Sequence, residues 1–134
     1  PDAKFGLAEI RRGHIPGAGG TVRFPRLAGT GIALQYLLSG DYMDADAALR
    51  AGVVNEIVPA GDVLAHAVAF GKRVASQSAK AVELTLRSVM AQRDLPLAAA
   101  LDYEMELCTE MRKHGDYQEG LDAFVQKRAP DYET

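Results

Sequence analysis

The chain has 134 residues, of which 48% are hydrophobic, and its formal net charge at pH 7 is −3. This length is enough for a domain with its own core, and the weak negative charge gives no reason to expect binding to nucleic acid or to a membrane. The chain has no apolar run long enough to span a bilayer, and its single cysteine, Cys108, excludes an internal disulfide and fits a reducing compartment. We therefore expect a cytoplasmic protein.

The first forty residues predict short elements around a glycine-rich loop. Residues 3–10, AKFGLAEI, predict a short strand or extended segment that leads into the loop. Residues 20–28 predict a short helix, which Pro25 limits in length. Thr30 is expected to cap a second helix, and Gly40 is expected to end it.

The next stretch, DYMDADAALRAGVV at residues 41–54, carries the clearest local signal. Asp44 is a good N-cap for the helix-forming run that follows it, and Gly52 lies where that helix should stop. Residues 53–59, VVNEIVP, predict a strand that Pro59 closes.

The rest of the chain predicts four helices, the first over residues 62–76 and the others starting near Ser78, Pro96 and Asp116. Apolar residues recur at helical spacing in all four helices, and these stripes could be buried within the helical part or against another subunit. The stripe of the helix that starts near Pro96 is expected to face inward. Two strands cannot cover so much apolar surface, so part of it is expected to face other subunits. The stripe residues are Leu64, Ala67, Val68, Gly71, Val74, Ala75, Val82, Leu86, Val89, Met90, Leu97, Leu101, Met105, Cys108, Leu121, Phe124 and Val125.

The glycine-rich segment EIRRGHIPGAGGTVRFPR, residues 9–26, matches neither of two familiar phosphate-binding motifs. It lacks the Gly-Lys-Ser/Thr ending of a P-loop, and the dinucleotide pattern that Gly17 and Gly19 begin fails at Val22. A tight turn that opens into a helix explains the glycines without any function.

Glu9 stands immediately before this loop, between Ala8 and Ile10. Apolar flanks remove part of the water around a carboxylate, which suits it to proton transfer near neutral pH. The alternative is a structural ion pair with Arg11 or Arg12, and the residues alone leave both possibilities open.

The sequence predicts no metal site. Asp41, Asp44 and Asp46 lack the glycine and the terminal glutamate of an EF-hand loop. The histidines are scattered along the chain without a paired spacing.

Three stretches together resemble the enoyl-CoA hydratase/isomerase (crotonase) family: FGLAEIRRGHIPGAGGTVRFPRLAG, LLSGDYMDADAALRAGVVNEIVP and EGLDAFVQKRAP. The resemblance implies an α/β crotonase-like spiral fold, of which this chain would be the C-terminal portion, mostly α-helical with a few short strands. Residues 1–60 would end the spiral core and hold the glycine-rich active-site loop. Residues 61–134 would form a helical oligomerisation region that builds a homo-oligomer, either a trimer or a dimer of trimers.

The resemblance also implies an activity, the addition of water across the double bond of a 2-enoyl-CoA thioester. Glu9 matches a catalytic glutamate that exchanges the proton at C2, and Ile15, Pro16 and Gly17 would border the acyl group. Phe124 and Lys127 match positions that approach the nucleotide end of coenzyme A from a neighbouring subunit. Coenzyme A is part of the substrate, so no cofactor is expected.

Several departures from the family pattern, among them Ala8, His14 and Val22, leave the acyl substrate open. The alternatives are an enoyl-CoA isomerase, another crotonase-family acyl-CoA enzyme, or a helical oligomerisation module without catalysis. The first catalytic glutamate and the amides that bind the thioester oxygen would lie in an upstream half. The 134 residues alone are therefore expected to be inactive.

Overall fold

The computed structural model describes residues 1–132 and shows two compact units, Pro1–His66 and the residues from Ala67 onward. Each unit is described by itself. The predicted functional division between residues 1–60 and 61–134 stays a prediction. No helix among the described residues combines the length and the hydropathy that crossing a bilayer requires.

The first unit surrounds a small two-stranded sheet. β1 (Lys4–Phe5) pairs antiparallel with β2 (Met43–Asp44), so that Phe5 lies opposite Met43. The other elements of this unit, apart from a 3₁₀ turn at Ala60–Asp62, are a 3₁₀ helix (Glu9–Arg12), α1 (Gly20–Ala28), α2 (Thr30–Ser39) and α3 (Ala45–Arg50). The buried apolar residues of this unit include Ala33, Leu37, Met43, Ala45 and Ala48.

Both predicted strands need correction. In residues 3–10 only Lys4–Phe5 is a strand, and Glu9 begins a 3₁₀ helix instead of ending an extended segment. The strand predicted over residues 53–59 is wrong. The amides of Val53 and Val54 both donate to the carbonyl of Ala48, at 2.8 and 3.3 Å, and so close the end of α3 instead of joining a sheet.

Two of the predicted caps are confirmed. Asp44 Oδ1 accepts a 2.8 Å hydrogen bond from the amide of Ala47 at the start of α3. Ser78 Oγ accepts a 3.2 Å hydrogen bond from the amide of Ala81, at the start of the helix Ala79–Ala91. These bonds satisfy amides that have no partner within the helix.

The caps predicted at Thr30 and Asp116 are wrong. Thr30 is the first residue of α2, and Gly29 precedes it with a φ of 81° and no side-chain cap. His114 caps the last helix, because its Nδ1 accepts from the amide of Asp116 at 3.3 Å. In both cases the helix begins earlier than the predicted cap implied: α2 begins at Thr30 itself, and the last helix begins at Gly115.

Helices account for most of the later chain. They are α4 (Val63–Ala75), α5 (Ala79–Ala91), α6 (Leu97–Met111) and α7 (Gly115–Gln126), and α6 begins directly after Pro96 as predicted. Leu84 of α5 and Leu107 of α6 are buried. Lys80 Nζ lies 2.7 Å from Glu110 Oε1, and this hydrogen bond raises the pKa of Lys80 and lowers that of Glu110.

The stripe predicted to face inward, on the helix that follows Pro96, is exposed in this chain, and large apolar residues of the neighbouring helices are exposed too. Leu64 and Leu97 are each 77% exposed, Met90 is 60% exposed, and Cys108 is also exposed. Helical spacing identifies an apolar face, but it does not say what covers that face. The large apolar residues of α4, α5 and α6 therefore leave much uncovered surface.

Candidate active site

A cavity of about 510 Å³ lies within the first unit, next to the glycine-rich loop. Its volume is in the range of small-molecule sites, which is about 300–1,000 Å³. The backbone of residues 17–20 forms part of its wall, and Glu9 and Arg23 are its only charged lining residues among those that the structure describes. The other lining residues are Phe5, Gly6, Leu7, Phe24, Leu27, Tyr36 and Met43.

Glu9 is the first residue of the 3₁₀ helix, and its side chain lines this cavity. The Oε2 atom is buried and has no hydrogen-bond partner among residues 1–132. The backbone around Glu9 is held, since its carbonyl accepts from the amide of His14 at 3.2 Å and Ala8 accepts from Arg11 at 3.1 Å. A buried carboxylate oxygen without a partner is costly, which makes Glu9 a candidate for a functional role.

The structural alternative for Glu9, an ion pair with a neighbouring arginine, is contradicted. Arg11 Nη2 instead donates to Asp41 Oδ1 at 2.6 Å. In the described part of the chain neither Arg11 nor Arg12 makes an ion pair with Glu9. The carboxylate of Glu9 is therefore available at the cavity wall.

The loop that faces Glu9 is a tight turn, as the glycine pattern predicts. Ala18 has a φ of 51° and Gly19 a φ of 93°, both in the left-handed region. The turn closes through bonds from the Gly20 amide to the Gly17 carbonyl at 3.0 Å and from the Arg23 amide to the Gly19 carbonyl at 2.7 Å. α1 then begins at Gly20. The residues of the turn are also residues of the cavity wall, so the turn forms part of the candidate site.

Gly20 marks a close approach between this loop and the segment that precedes Glu9. A Cβ atom at Gly20 would lie 2.9 Å from Pro16 Cβ and 3.3 Å from Leu7 Cδ1. Only glycine leaves room for that packing. The contact therefore brings the glycine-rich loop and the Glu9 segment together at one wall of the cavity.

Three backbone donors remain unused in the loop. The amides of Gly17, Ala18 and Gly19 make no hydrogen bond within residues 1–132, and all three residues line the cavity. They precede the N-terminus of α1, where amide groups carry partial positive charge. Beside Glu9 the site thus offers N–H donors for a bound oxygen atom, together with a proton acceptor or donor.

The other residues predicted for the site occupy different environments. Pro16 is buried beneath the loop, Gly17 lines the cavity, and Ile15 is 66% exposed. Phe124 is 83% exposed on α7 in the second unit, and Lys127 follows the last residue of that helix. The binding roles of these five residues stay predictions.

Sequence reasoning missed several lining residues. Tyr36 comes from α2 and Met43 from β2, and nothing in the local sequence of either points to a site. Arg23 could have been found, because it lies four residues after Gly19 on the helix that the loop opens.

Residues 1–134 match the family described as enoyl-CoA hydratase/isomerase. The chain belongs to the enoyl-CoA hydratase/isomerase family. Among curated relatives, it is 36% identical over 131 residues to the 2,3-dehydroadipyl-CoA hydratase of Escherichia coli (strain K12), covering 98% of this chain and 51% of the relative. It is 32% identical over 129 residues to the (E)-benzylidenesuccinyl-CoA hydratase of Thauera aromatica, covering 96% and 50%.

Solved structures agree with this assignment. The enoyl-CoA hydratase of Bacillus anthracis superimposes with a TM-score of 0.92 at 34% identity, covering 97% of this chain and 50% of that chain. The family resemblance and the crotonase-like fold class, mostly helical with few short strands, are confirmed. The chain spans about half the length of the curated relatives that it matches.

Proposed function

We propose that these residues form part of an enoyl-CoA hydratase that adds water across the double bond of a 2-enoyl-CoA thioester. The observation that carries the proposal is the buried, unpartnered Oε2 of Glu9 at a cavity bordered by the free amides of the glycine-rich loop. Membership of the enoyl-CoA hydratase/isomerase family supports the substrate class.

In the proposed reaction, protonated Glu9 gives its proton to C2 as the oxygen of water bonds to C3. A second base takes one proton from that water. The electron pair of the double bond moves toward the thioester oxygen and then forms the new C2–H bond, so atoms and charge balance. The free amides at residues 17–19 would donate to the water and help to orient it.

Two parts of this chemistry must come from elsewhere in the complete enzyme. Glu9 is the only carboxylate that lines the cavity within the described residues, and a second carboxylate is needed as the base. Donors for the thioester oxygen are also required, and the loss of one such donor typically slows a reaction by about 10²–10³. We therefore expect the 134 residues alone to be inactive.

The proposed substrate contacts involve both units. Ile15, Pro16 and Gly17 border the acyl group, while Phe124 and Lys127 meet the nucleotide end of coenzyme A on a neighbouring copy. A homo-oligomer, as a trimer or a dimer of trimers, would supply that neighbour and would cover the exposed stripes of α4 to α6. The single cysteine supports a cytoplasmic location.

The proposal is tested with Glu9→Gln in a complete enzyme that contains these residues. The amide keeps the shape of the side chain but cannot give up a proton in the same way, so hydration of crotonyl-CoA should slow by about 10²–10⁴. The rate is followed as the loss of enoyl-thioester absorbance. Glu56→Gln is the matched control, because Glu56 pairs with His66 and does not line the cavity.

A wild-type rate for Glu9→Gln would contradict the role of Glu9. Double-bond migration without hydration by the unaltered enzyme would favour the isomerase alternative. Coenzyme A thioesters that neither bind nor react would favour the oligomerisation module.

A further inference from the structure

The C-terminal end of α7 carries a three-bond clamp. Arg128 Nη1 and Nη2 donate to the two carboxylate oxygens of Glu119, at 2.5 and 2.8 Å. The amide of Asp131 donates to Glu119 Oε1 at 2.7 Å. Paired contacts of this kind between a guanidinium and a carboxylate fix direction as well as distance. The chain that leaves α7 is therefore folded back and tied to the body of the helix.

Lys127 lies inside the segment that this clamp closes. Its φ of 53° is in the left-handed region, which a residue with a side chain rarely adopts. The turn is completed by bonds from the Lys127 amide to the Phe124 carbonyl at 3.3 Å and from the Arg128 amide to the Ala123 carbonyl at 3.1 Å. A conformation of this kind persists where surrounding contacts hold it. The Arg128–Glu119 bonds adjoin it, and so does the bond from Arg128 Nε to Gln126 Oε1 at 2.9 Å.

The clamp also decides which cation is available at this end of the helix. Arg128 is occupied by Glu119, whereas the ammonium of Lys127 makes no ion pair within residues 1–132. Arg128 lowers the pKa of Glu119 to about 2, so both members of the pair are charged at neutral pH. Lys127 therefore presents one uncompensated positive charge, three residues along the chain from the exposed ring of Phe124.

We propose that Glu119 and Arg128 are positioning residues, which hold Lys127 in the left-handed conformation that aims its ammonium at the anionic nucleotide end of a coenzyme A thioester. The inference rests on the proposed function, because it takes coenzyme A as the molecule that Lys127 meets. Neither clamp residue touches the substrate. Their contribution is the backbone conformation of Lys127, which precedes Arg128 directly in the chain.

A positioning role and a purely structural role of the clamp predict different effects on two substrates. Crotonyl-pantetheine presents the same reacting atoms as crotonyl-CoA, but it lacks the nucleotide and its phosphates. Release of the clamp should therefore weaken the binding of crotonyl-CoA, which has phosphates, and leave the binding of crotonyl-pantetheine unchanged. General damage to the fold would affect both substrates.

The test measures KM and kcat for both thioesters in the complete enzyme. Lys127→Ala sets the full effect, expected as about a tenfold rise in KM for crotonyl-CoA from the loss of one charge-assisted contact. Lys127→Arg keeps the positive charge, so its KM for crotonyl-CoA should stay close to the wild-type value. Glu119→Gln and Arg128→Lys should each raise KM for crotonyl-CoA by about three- to tenfold and leave kcat and the crotonyl-pantetheine constants unchanged.

Glu83→Gln is the matched control. Glu83 also pairs with two cations, Lys80 and Arg87, but it belongs to α5 and has no bond to the Lys127 turn. It should leave the ratio of the two KM values at its wild-type level. Arg128→Lys keeps the charge, so it serves as the second variant if Glu119→Gln folds poorly.

Calorimetric binding of coenzyme A and of pantetheine gives the same comparison without turnover. Equal effects of Glu119→Gln on both ligands, or no effect on either, would overturn the positioning role of the clamp even if the hydratase proposal holds. Clamp-dependent binding of coenzyme A by a protein that does not hydrate crotonyl-CoA would overturn the hydratase proposal and support the clamp. Failure of the unaltered protein to bind coenzyme A would overturn both.

Discussion

Arg11 and Asp41, thirty positions apart in the sequence, are joined by a 2.6 Å hydrogen bond from Nη2 to Oδ1. The bond ties the 3₁₀ helix that begins with Glu9 to the second residue after the end of α2. It also occupies the guanidinium of Arg11, which lies two residues after Glu9 in the same helix. Among the described residues Arg11 therefore pairs with Asp41 and not with Glu9.

The first prediction concerns Asp41→Ala in the complete enzyme. The released guanidinium of Arg11 can then compete for Glu9, so hydration of crotonyl-CoA should slow by about two- to fivefold, which is the range of an exposed ion pair. Arg11→Ala combined with Asp41→Ala removes the competitor and should restore the rate. A double variant as slow as the single variant would show that Asp41 acts by some other route.

The second prediction concerns the contact between the loop and the Glu9 segment. Gly20→Ala places a Cβ atom 2.9 Å from Pro16 Cβ, so it should lower the free energy of unfolding by about 1–3 kcal/mol, measured in urea. Gly31→Ala is the matched control, because nothing lies within 4 Å of a Cβ at that position of α2. It should be neutral or stabilise the protein by up to about 1 kcal/mol. Similar losses from both variants would contradict the close approach.

The third prediction concerns assembly. The apolar side chains exposed on α4 to α6, such as Leu64 and Leu97, should be covered by other copies, because isolated proteins rarely leave large apolar patches open. Sedimentation of the complete enzyme should therefore give a trimer or a multiple of three. A monomer throughout the micromolar range would contradict this expectation.

The fourth prediction concerns the pH dependence of the α7 clamp. The hydrogen bonds from Arg128 and from the Asp131 amide lower the pKa of Glu119 from the ordinary 4.5 to about 2. A lowered pKa in the folded state means that the clamp stabilises fully above pH 4.5 and loses its contribution as the pH falls toward 2.

The protection of the Asp131 amide against hydrogen exchange measures this loss directly. It should persist at pH 4 and disappear near pH 2. Glu119→Gln should remove the pH dependence. Loss of protection already complete at pH 4 would contradict the lowered pKa.

Much of the helical structure follows from local signals. Asp44 caps α3 and Ser78 caps α5, as their positions before helix-forming runs predict. Gly40 ends α2 with a φ of 69°, a backbone conformation that glycine adopts without strain. The tight turn of the glycine-rich loop also follows from neighbouring residues, whereas the 3₁₀ helix that begins at Glu9 does not.

The strands and the buried faces do not follow from local signals. Residues 53–59 have strand-forming composition, but a strand needs a partner, and their first amides bond to the end of α3 instead. The stripes on α4 to α6 have helical spacing, but covering them needs a second surface. In both cases the decisive contact is with residues that local patterns do not identify.

Local sequence specifies the helices, the turn at residues 17–19 and the presence of one carboxylate beside that turn, because each of these is set within a few residues of chain. The surroundings of that carboxylate depend on tertiary contacts. These contacts bring Tyr36 and Met43 to the cavity wall and join Arg11 to Asp41, while Glu9 Oε2 has no partner among the described residues. The physical reason is that burial and ion pairing depend on distances between residues far apart in the chain, which are set by the packing of α2 against the Glu9 helix and by the pairing of β2 with β1.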